Sequence, residues 1–183
     1  LRAGQIEHDE FLQRLERRES LVVDGRFAQV ETFERRQRFQ VRQTRTGDAG
    51  RGQVEALERL EALQVGEAGI AVAIISGRRS GAVDRRMAEL GVTRVVQGCR
   101  HKIPELRRLA DELGIDLADA AYVGDDLPDL EAMRACGLAI AVANAVAEII
   151  AAADHVTARG GGDGAVREVA DLVLSARNGG TAA

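Results

Sequence analysis

Three carboxylates fall within five residues in the run Val123-Gly124-Asp125-Asp126-Leu127-Pro128-Asp129. Held that close, they repel and raise one another's pKa unless a cation sits among them. A hard divalent ion with a preference for oxygen resolves the conflict, and Mg²⁺ is the usual choice where phosphate is handled. The same residues also suit a polar turn, because Asp is favoured at helix starts by capping and by the helix dipole. Both uses are open to Asp125, Asp126 and Asp129. A second cluster reads Ile74-Ile75-Ser76-Gly77-Arg78-Arg79-Ser80. A hydroxyl followed by Gly at a strand-to-helix turn offers a side-chain donor and backbone N–H groups to a phosphate oxygen. Arg78 or Arg79 adds a planar fork suited to phosphate or carboxylate. The plainer use of Ser76 or Ser80 is to cap a helix. The third feature is Lys102, in Gln97-Gly98-Cys99-Arg100-His101-Lys102. A lone Lys near a helix start is ordinarily solvated, and so is a His such as His101.

These residues need a frame, and the spacing supplies one. Residues 70–75 (IAVAII) form a continuous apolar run that stops at Ser76-Gly77, which is how a buried parallel strand reads. Further strands are predicted over 92–96, 120–123 and 138–142, with a brief strand or loop over 155–157. Helical spacing marks 80–90, 104–113, 127–135, 145–152 and 165–177, with Gly91 and Gly114 as C-caps. Strands alternating with helices predict an α/β fold, a doubly wound parallel sheet in three α/β/α layers. Right-handed crossovers bring every strand's carboxyl end to one edge, where ligands bind in such sheets. Ser76-Gly77 and Gly124-Asp125-Asp126 both fall at such ends and are expected to meet in one cleft.

The first sixty-odd residues differ in character. Residues 7–19 read as a helix with Ile6, Phe11, Leu12 and Leu15 on its apolar side. Leu21-Val22-Val23 is the plausible buried strand and ends at Asp24-Gly25. Residues 27–39 suit a hairpin or a helix, 44–52 a polar loop, and 54–63 a helix. One domain is expected over 1–177, atypical over 1–66, with a disordered tail at 178–183. All four Phe lie in the first forty residues, so the remaining core should be aliphatic.

Bulk properties narrow the partners. A net charge of −4 gives no electrostatic reason to expect nucleic acid. The Arg-rich stretch 14–45 is interleaved with Glu16, Glu19, Glu31 and Glu34, as a solvated mixed-charge surface would be. No segment approaches the ~18 apolar residues of a membrane span, and residues 1–8 carry no apolar run of the signal-peptide kind. Cys99 and Cys136 lack CxxC spacing, so reduced thiols and a cytoplasmic location are expected.

In order along the chain, Ser76-Gly77 after a strand, then Lys102, then Gly124-Asp125-Asp126 with Asp129 resembles the second, third and fourth motifs of the haloacid dehalogenase-like phosphatases. Longer runs narrow the resemblance. IISGRRSGAVDRRMAELGV, VVQG before the Lys, AYVGDDLPDLEAMRACGLAIAVANA and GGGDGAVREVADLVL are similar to the 3-deoxy-D-manno-octulosonate 8-phosphate phosphatase branch, over about residues 69–174. The resemblance implies a cap-less homotetramer with Mg²⁺ as cofactor, a small phosphorylated sugar acid as substrate, and a place in lipopolysaccharide precursor synthesis. It implies that Ser76 and Gly77 bind the phosphoryl group and that Lys102 neutralises the phosphate and the aspartate nucleophile. Asp125 would ligate Mg²⁺, with Asp126 helping directly or through water. Asp129 would position Lys102 or the metal's surroundings, and Arg78 would meet the sugar-acid carboxylate.

The family's first motif, a buried strand followed by Asp-x-Asp-Gly, is not intact here. The chain has Leu21-Val22-Val23-Asp24-Gly25-Arg26-Phe27 where the family reads DVDGVLT and, later, DGR. If Asp24-Gly25-Arg26 matches the later DGR, Arg17 and Glu19 take the nucleophile and acid positions, and the chain is inactive. If Leu21-Val22-Val23 is the first strand, Asp24 is the nucleophile and Arg26 stands where the acid belongs. The leaving alkoxide then receives no proton unless another carboxylate, such as Asp48, supplies it. Phe39-Gln40-Val41-Arg42 resembles the family's F-x-V-R stretch, but Gln43-Thr44 follow in place of Asp-Gly. Three readings follow: a phosphatase for 3-deoxy-D-manno-octulosonate 8-phosphate, a catalytically impaired binding or assembly scaffold, and a phosphatase for another sugar-acid phosphate.

Overall fold

The computed structural model describes residues 8–16, 20–24, 65–66 and 68–177. The expectations for 27–39, 44–52, 54–63 and the tail at 178–183 lie outside these residues. The elements in chain order are α1 (His8–Glu16), β1 (Ser20–Asp24), β2 (Ala71–Ser76), α2 (Gly81–Glu89), β3 (Arg94–Gln97) and α3 (Lys102–Leu113). They continue with β4 (Ala120–Gly124), α4 (Leu130–Ala135), β5 (Leu138–Ala141), α5 (Ala147–Ala152), β6 (His155–Val156) and α6 (Ala165–Arg177). The sheet order is β3-β2-β1-β4-β5-β6 and every pairing is parallel. This is the doubly wound order, and its direction reverses between β1 and β4, where such sheets open a crevice at the strands' carboxyl ends.

Strand periodicity builds the three layers. Alternate residues point to opposite faces, so Ile74, Val123 and Ile140 join one core cluster with Phe11, Val83 and Val169 of the helices. Their chain neighbours Ile75, Tyr122 and Ala139 join the other, with Leu106, Met133 and Ile149. Phe11 of α1 also stacks on the His155 ring at 4.1 Å, fastening that helix to the β6 edge. The expected aliphatic core needs one amendment, because Tyr122 is fully buried in β4.

Element edges moved where backbone hydrogen bonds claimed residues. Val92 does not open β3, because its amide bonds the Met87 carbonyl at 2.9 Å and closes α2 around Gly91, whose φ is 72°. Helix α3 begins two residues before Pro104, which sits in a first turn where amides need no intrahelical partner. The stretch 127–135 divides into a 3₁₀ turn, Leu127–Asp129, and then α4. Asp126 and Asp129 form a capping box at that turn, so the plain capping use of these carboxylates is real.

Candidate functional site

Strand β4 is buried along its whole length and ends at Gly124. Beyond it the chain folds back so tightly that a Cβ on Gly124 would lie 2.7 Å from Asp129 Cβ and 2.9 Å from Met133 Sδ. The fold-back puts the Asp129 carboxylate under the turn. Its Oδ2 accepts from the amides of Asp125 and Asp126, each at 3.3 Å. Its Oδ1 accepts from Lys102 Nζ at 2.5 Å and from the Tyr122 hydroxyl at 2.8 Å. Asp129 is wholly buried and Lys102 is 3% exposed. Lys102 is therefore not the solvated surface lysine that its position taken alone suggested. Packing of α3 against the sheet carries its first residue inward, and the Asp129 carboxylate compensates the charge.

The Ser76 end of β2 is stitched to the loop after β3. The Ser76 carbonyl accepts from Cys99 N at 2.9 Å, and the Arg78 carbonyl accepts from Gly98 N at 3.1 Å. The buried Ser76 hydroxyl accepts from Arg78 N at 3.2 Å, bracing the turn. The loop thus ties Ser76 to the segment leading into Lys102. Arg78 and Arg79 are exposed, and Arg79 lies across Gly98, where a Cβ would come within 2.5 Å of its Nε. Ser80 does not cap α2 through its side chain. Gln97 braces this helix start from across the sheet edge, accepting from Ser80 N at 2.6 Å and donating to Asp84 at 2.5 Å.

Asp24 is the last residue of β1, the strand between β2 and β4. Its Cα partners Ile75, and Val23 partners Val123, so the backbone of Asp24 arrives between the ends of β2 and β4. Arg17, Glu19, Arg26 and Asp48 lie outside the described residues. Among the described residues no three His, Cys, Asp or Glu side chains gather into a cluster able to hold a metal. The oxygen donors brought to the edge are Asp125 and Asp126, with Asp24 in backbone register beside them. An all-carboxylate set of this kind suits a hard ion and would be a poor match for a soft one.

Two site residues were not anticipated from the sequence. In the sequence Tyr122 stands only within a strand and the AYVGDD run, and Gln97 only within the VVQG run, with no role of its own. The signal for Tyr122 was present, since it is the chain's only Tyr and stands two residues before Gly124 in a strand otherwise filled by small or aliphatic residues.

Burial pushes the Cys99 thiol above its ordinary value, and the nearby Glu105 carboxylate adds to the rise. The His101 backbone and the Lys102 charge oppose the rise and offset it only in part. Carboxamidomethylation of Cys99 near neutral pH, followed by peptide mass spectrometry, should therefore run slower than that of an unstructured thiol. A faster rate would show that the thiolate is stabilised instead.

Residues 95–169 match the profile of a family described as haloacid dehalogenase-like hydrolase. The crystal structure of 3-deoxy-D-manno-octulosonate 8-phosphate phosphatase from Moraxella catarrhalis, in complex with magnesium ion, phosphate ion and a KDO molecule, superposes with a TM-score of 0.75. It is 33% identical, over 95% of each chain. The chain belongs to the haloacid dehalogenase-like hydrolases. The cobalt-bound form of the corresponding Haemophilus influenzae phosphatase gives a TM-score of 0.73 at 30% identity, over 92% of this chain and 94% of that one. The Escherichia coli (strain K12) 3-deoxy-D-manno-octulosonate 8-phosphate phosphatase is 47% identical over 108 residues, 59% of this chain. That match spans 57% of the relative's length, so the chain covers less than two-thirds of the curated relatives of this kind. Within the family, these similarities put the chain in the 3-deoxy-D-manno-octulosonate 8-phosphate phosphatase branch.

Proposed function

We propose that this protein is a Mg²⁺-dependent phosphatase that hydrolyses 3-deoxy-D-manno-octulosonate 8-phosphate, or a closely similar sugar-acid phosphate, to the free sugar acid and phosphate. The observation that carries the reading is the buried Lys102–Asp129 pair, joined through Asp129 to the Asp125-Asp126 turn at the sheet's switch point. The likeness to the Moraxella catarrhalis structure with its three bound species supports the substrate and the metal.

In this reading Asp24 is the nucleophile, because β1 ends with it at the carboxyl edge between β2 and β4. Its carboxylate attacks phosphorus in line, the ester P–O bond breaks, and water then hydrolyses the aspartyl-phosphate. Ser76 and the Gly77 backbone receive the phosphoryl oxygens, and Lys102 balances their charge. Asp125 and Asp126, with Asp24, would hold Mg²⁺, which when bound neutralises charge on the transferring group. Asp129 keeps Lys102 and the metal-side turn in place, and Arg78 faces the sugar-acid carboxylate. Arg26 stands two residues after Asp24 and holds its proton at neutral pH, so the leaving alkoxide must take its proton elsewhere and turnover should be slow. The reading extends to a single domain over 1–177, a homotetramer and a cytoplasmic setting. Among the described residues no helix is long and apolar enough to cross a membrane.

The test is phosphate release from 3-deoxy-D-manno-octulosonate 8-phosphate with Mg²⁺, against EDTA, Asp24→Asn and Asp125→Asn. Release should require the metal and vanish in both variants, while Asp125→Asn stays folded and loses Mg²⁺ binding. Absence of release from folded parent protein that still binds Mg²⁺ and inorganic phosphate would favour a non-catalytic scaffold, in keeping with Arg26 at the acid position.

A further inference from the structure

We propose that Tyr122 is a positioning residue, whose hydroxyl sets the plane of the Asp129 carboxylate so that one oxygen grips Lys102 while the other holds the Asp125-Asp126 turn. The inference rests on the phosphatase reading for its catalytic consequence, though not for its geometry.

The Asp129 carboxylate takes four donors, two on each oxygen. They are unequal in what they can fix. Rotation about the carboxylate's terminal torsion is soft and roughly two-fold. The two amide contacts, at 3.3 Å, lie beyond the usual N–H···O range and constrain that rotation weakly. Lys102 reaches Asp129 on a flexible four-carbon stem and can follow the carboxylate as it turns. Tyr122 cannot follow. Its ring is 0% exposed and packed in the layer that holds Ile75, Leu106 and Met133, so the hydroxyl oxygen is fixed in space. A donor fixed at 2.8 Å from Oδ1 is the rigid reference against which the carboxylate aligns.

The hydroxyl matters electrically as well. It is neutral, so it occupies acceptor capacity on Oδ1 without adding charge to a buried pair. Sharing that oxygen weakens the hold of Asp129 on the Lys102 ammonium, which leaves Lys102 able to turn toward an arriving phosphate. Without the hydroxyl, Asp129 rotates toward Lys102, slackens its hold on the two amides and binds the ammonium more tightly. A merely structural account makes Asp129 the partner that a buried phenol needs. That account predicts no change at Asp125, Asp126 or Lys102 when the hydroxyl is removed and the ring kept.

Tyr122→Phe keeps the ring and removes the donor. Amide hydrogen exchange, read by NMR on the Mg²⁺-loaded protein, should speed up about ten-fold at Asp125 and Asp126. The β4 amides of Ala121 and Val123 should stay as in the parent. With substrate, kcat should fall about ten-fold with KM within about two-fold, and affinity for inorganic phosphate should drop about five-fold. The chain has one Tyr and no Trp, so its ultraviolet-excited emission reports on Tyr122 alone. In the parent that emission should shift along the same saturation curve as phosphate binding, as Lys102 moves off Asp129. Unchanged exchange at Asp125 and Asp126 would overturn the proposal. So would faster exchange with kcat and phosphate affinity both intact in an active parent. Faster exchange in Tyr122→Phe, beside a parent that neither turns over nor binds phosphate, would uphold the positioning geometry and sink the phosphatase reading.

Discussion

Replacing Lys102 with methionine should lower the unfolding free energy by about 3–5 kcal/mol, because it strands a carboxylate in the core. Asp129 has no exposed surface, and the substitution takes away the one cation that lies against it among the described residues, at 2.5 Å. The Tyr122 hydroxyl and two long amide contacts remain, which is poor compensation for a full charge. With a urea slope of about 1–3 kcal/mol per molar for a protein of this size, the midpoint should fall by at least about 1 M. Adding Asp129→Asn to Lys102→Met should restore part of the loss, since the amide is neutral and keeps the shape. Non-additivity of that sign is the signature of a buried pair, as opposed to two separate packing defects. A Lys102→Met variant as stable as the parent would mean that the pair is solvated in solution and that the site described above does not persist. The pair is also a weak device for stability, since buried ion pairs are often replaceable by apolar residues without loss. Its place under the Asp125-Asp126 turn suits the proposed role of an ammonium that balances a phosphate.

Gly124→Ala should damage the turn that carries Asp129. The added Cβ would stand 2.7 Å from Asp129 Cβ, which is bonded directly to the backbone, and 2.9 Å from Met133 Sδ in the packed core. Asp129 Cβ cannot retreat without moving the carboxylate that holds Lys102 and the Asp125-Asp126 amides. Overpacking of this kind costs about 1–3 kcal/mol. Displacing a catalytic constellation by about 1 Å costs about a hundred-fold in rate. Two other glycines set the scale. Gly77 would place its Cβ 3.6 Å from the Cys99 carbonyl oxygen, an ordinary contact, so Gly77→Ala should be tolerated by the fold. Gly81→Ala, with only the Arg85 Nη1 at 3.9 Å, should be neutral or stabilising by up to about 1 kcal/mol. Thermal melts and phosphate release on the three variants would rank them. Parent-like activity and melting in Gly124→Ala would show that the turn after β4 is looser than its contacts imply.

Much of this was legible before any coordinates. Apolar runs that stop at Ser76-Gly77 or Gly124-Asp125 carry strand identity, strand end and turn chemistry in the same few residues, because each depends on local backbone preference and on period-two burial. Gly91 and Gly114 marked helix ends for the same local reason, and both adopt positive φ, 72° and 69°. What remained open depended on contacts between residues far apart in the chain. The sheet order put β1 between β2 and β4, which brings the backbone of Asp24 between two turns that follow it by fifty and a hundred residues. Lys102 looked solvated because a sequence window shows no partner for it, and its partner lies 27 residues on, brought under it by the packing of α3 on the sheet. Gln97 bonds the backbone amide of Ser80, the N-cap of α2, across a 17-residue gap, a contact that helix-start preferences alone do not reveal. Local pattern was enough for the parallel α/β frame, the turns and the chemistry of their side chains. Long-range packing gathers Lys102, Tyr122 and two backbone amides onto the Asp129 carboxylate, because a buried charge takes whatever donors the packed layers bring within reach.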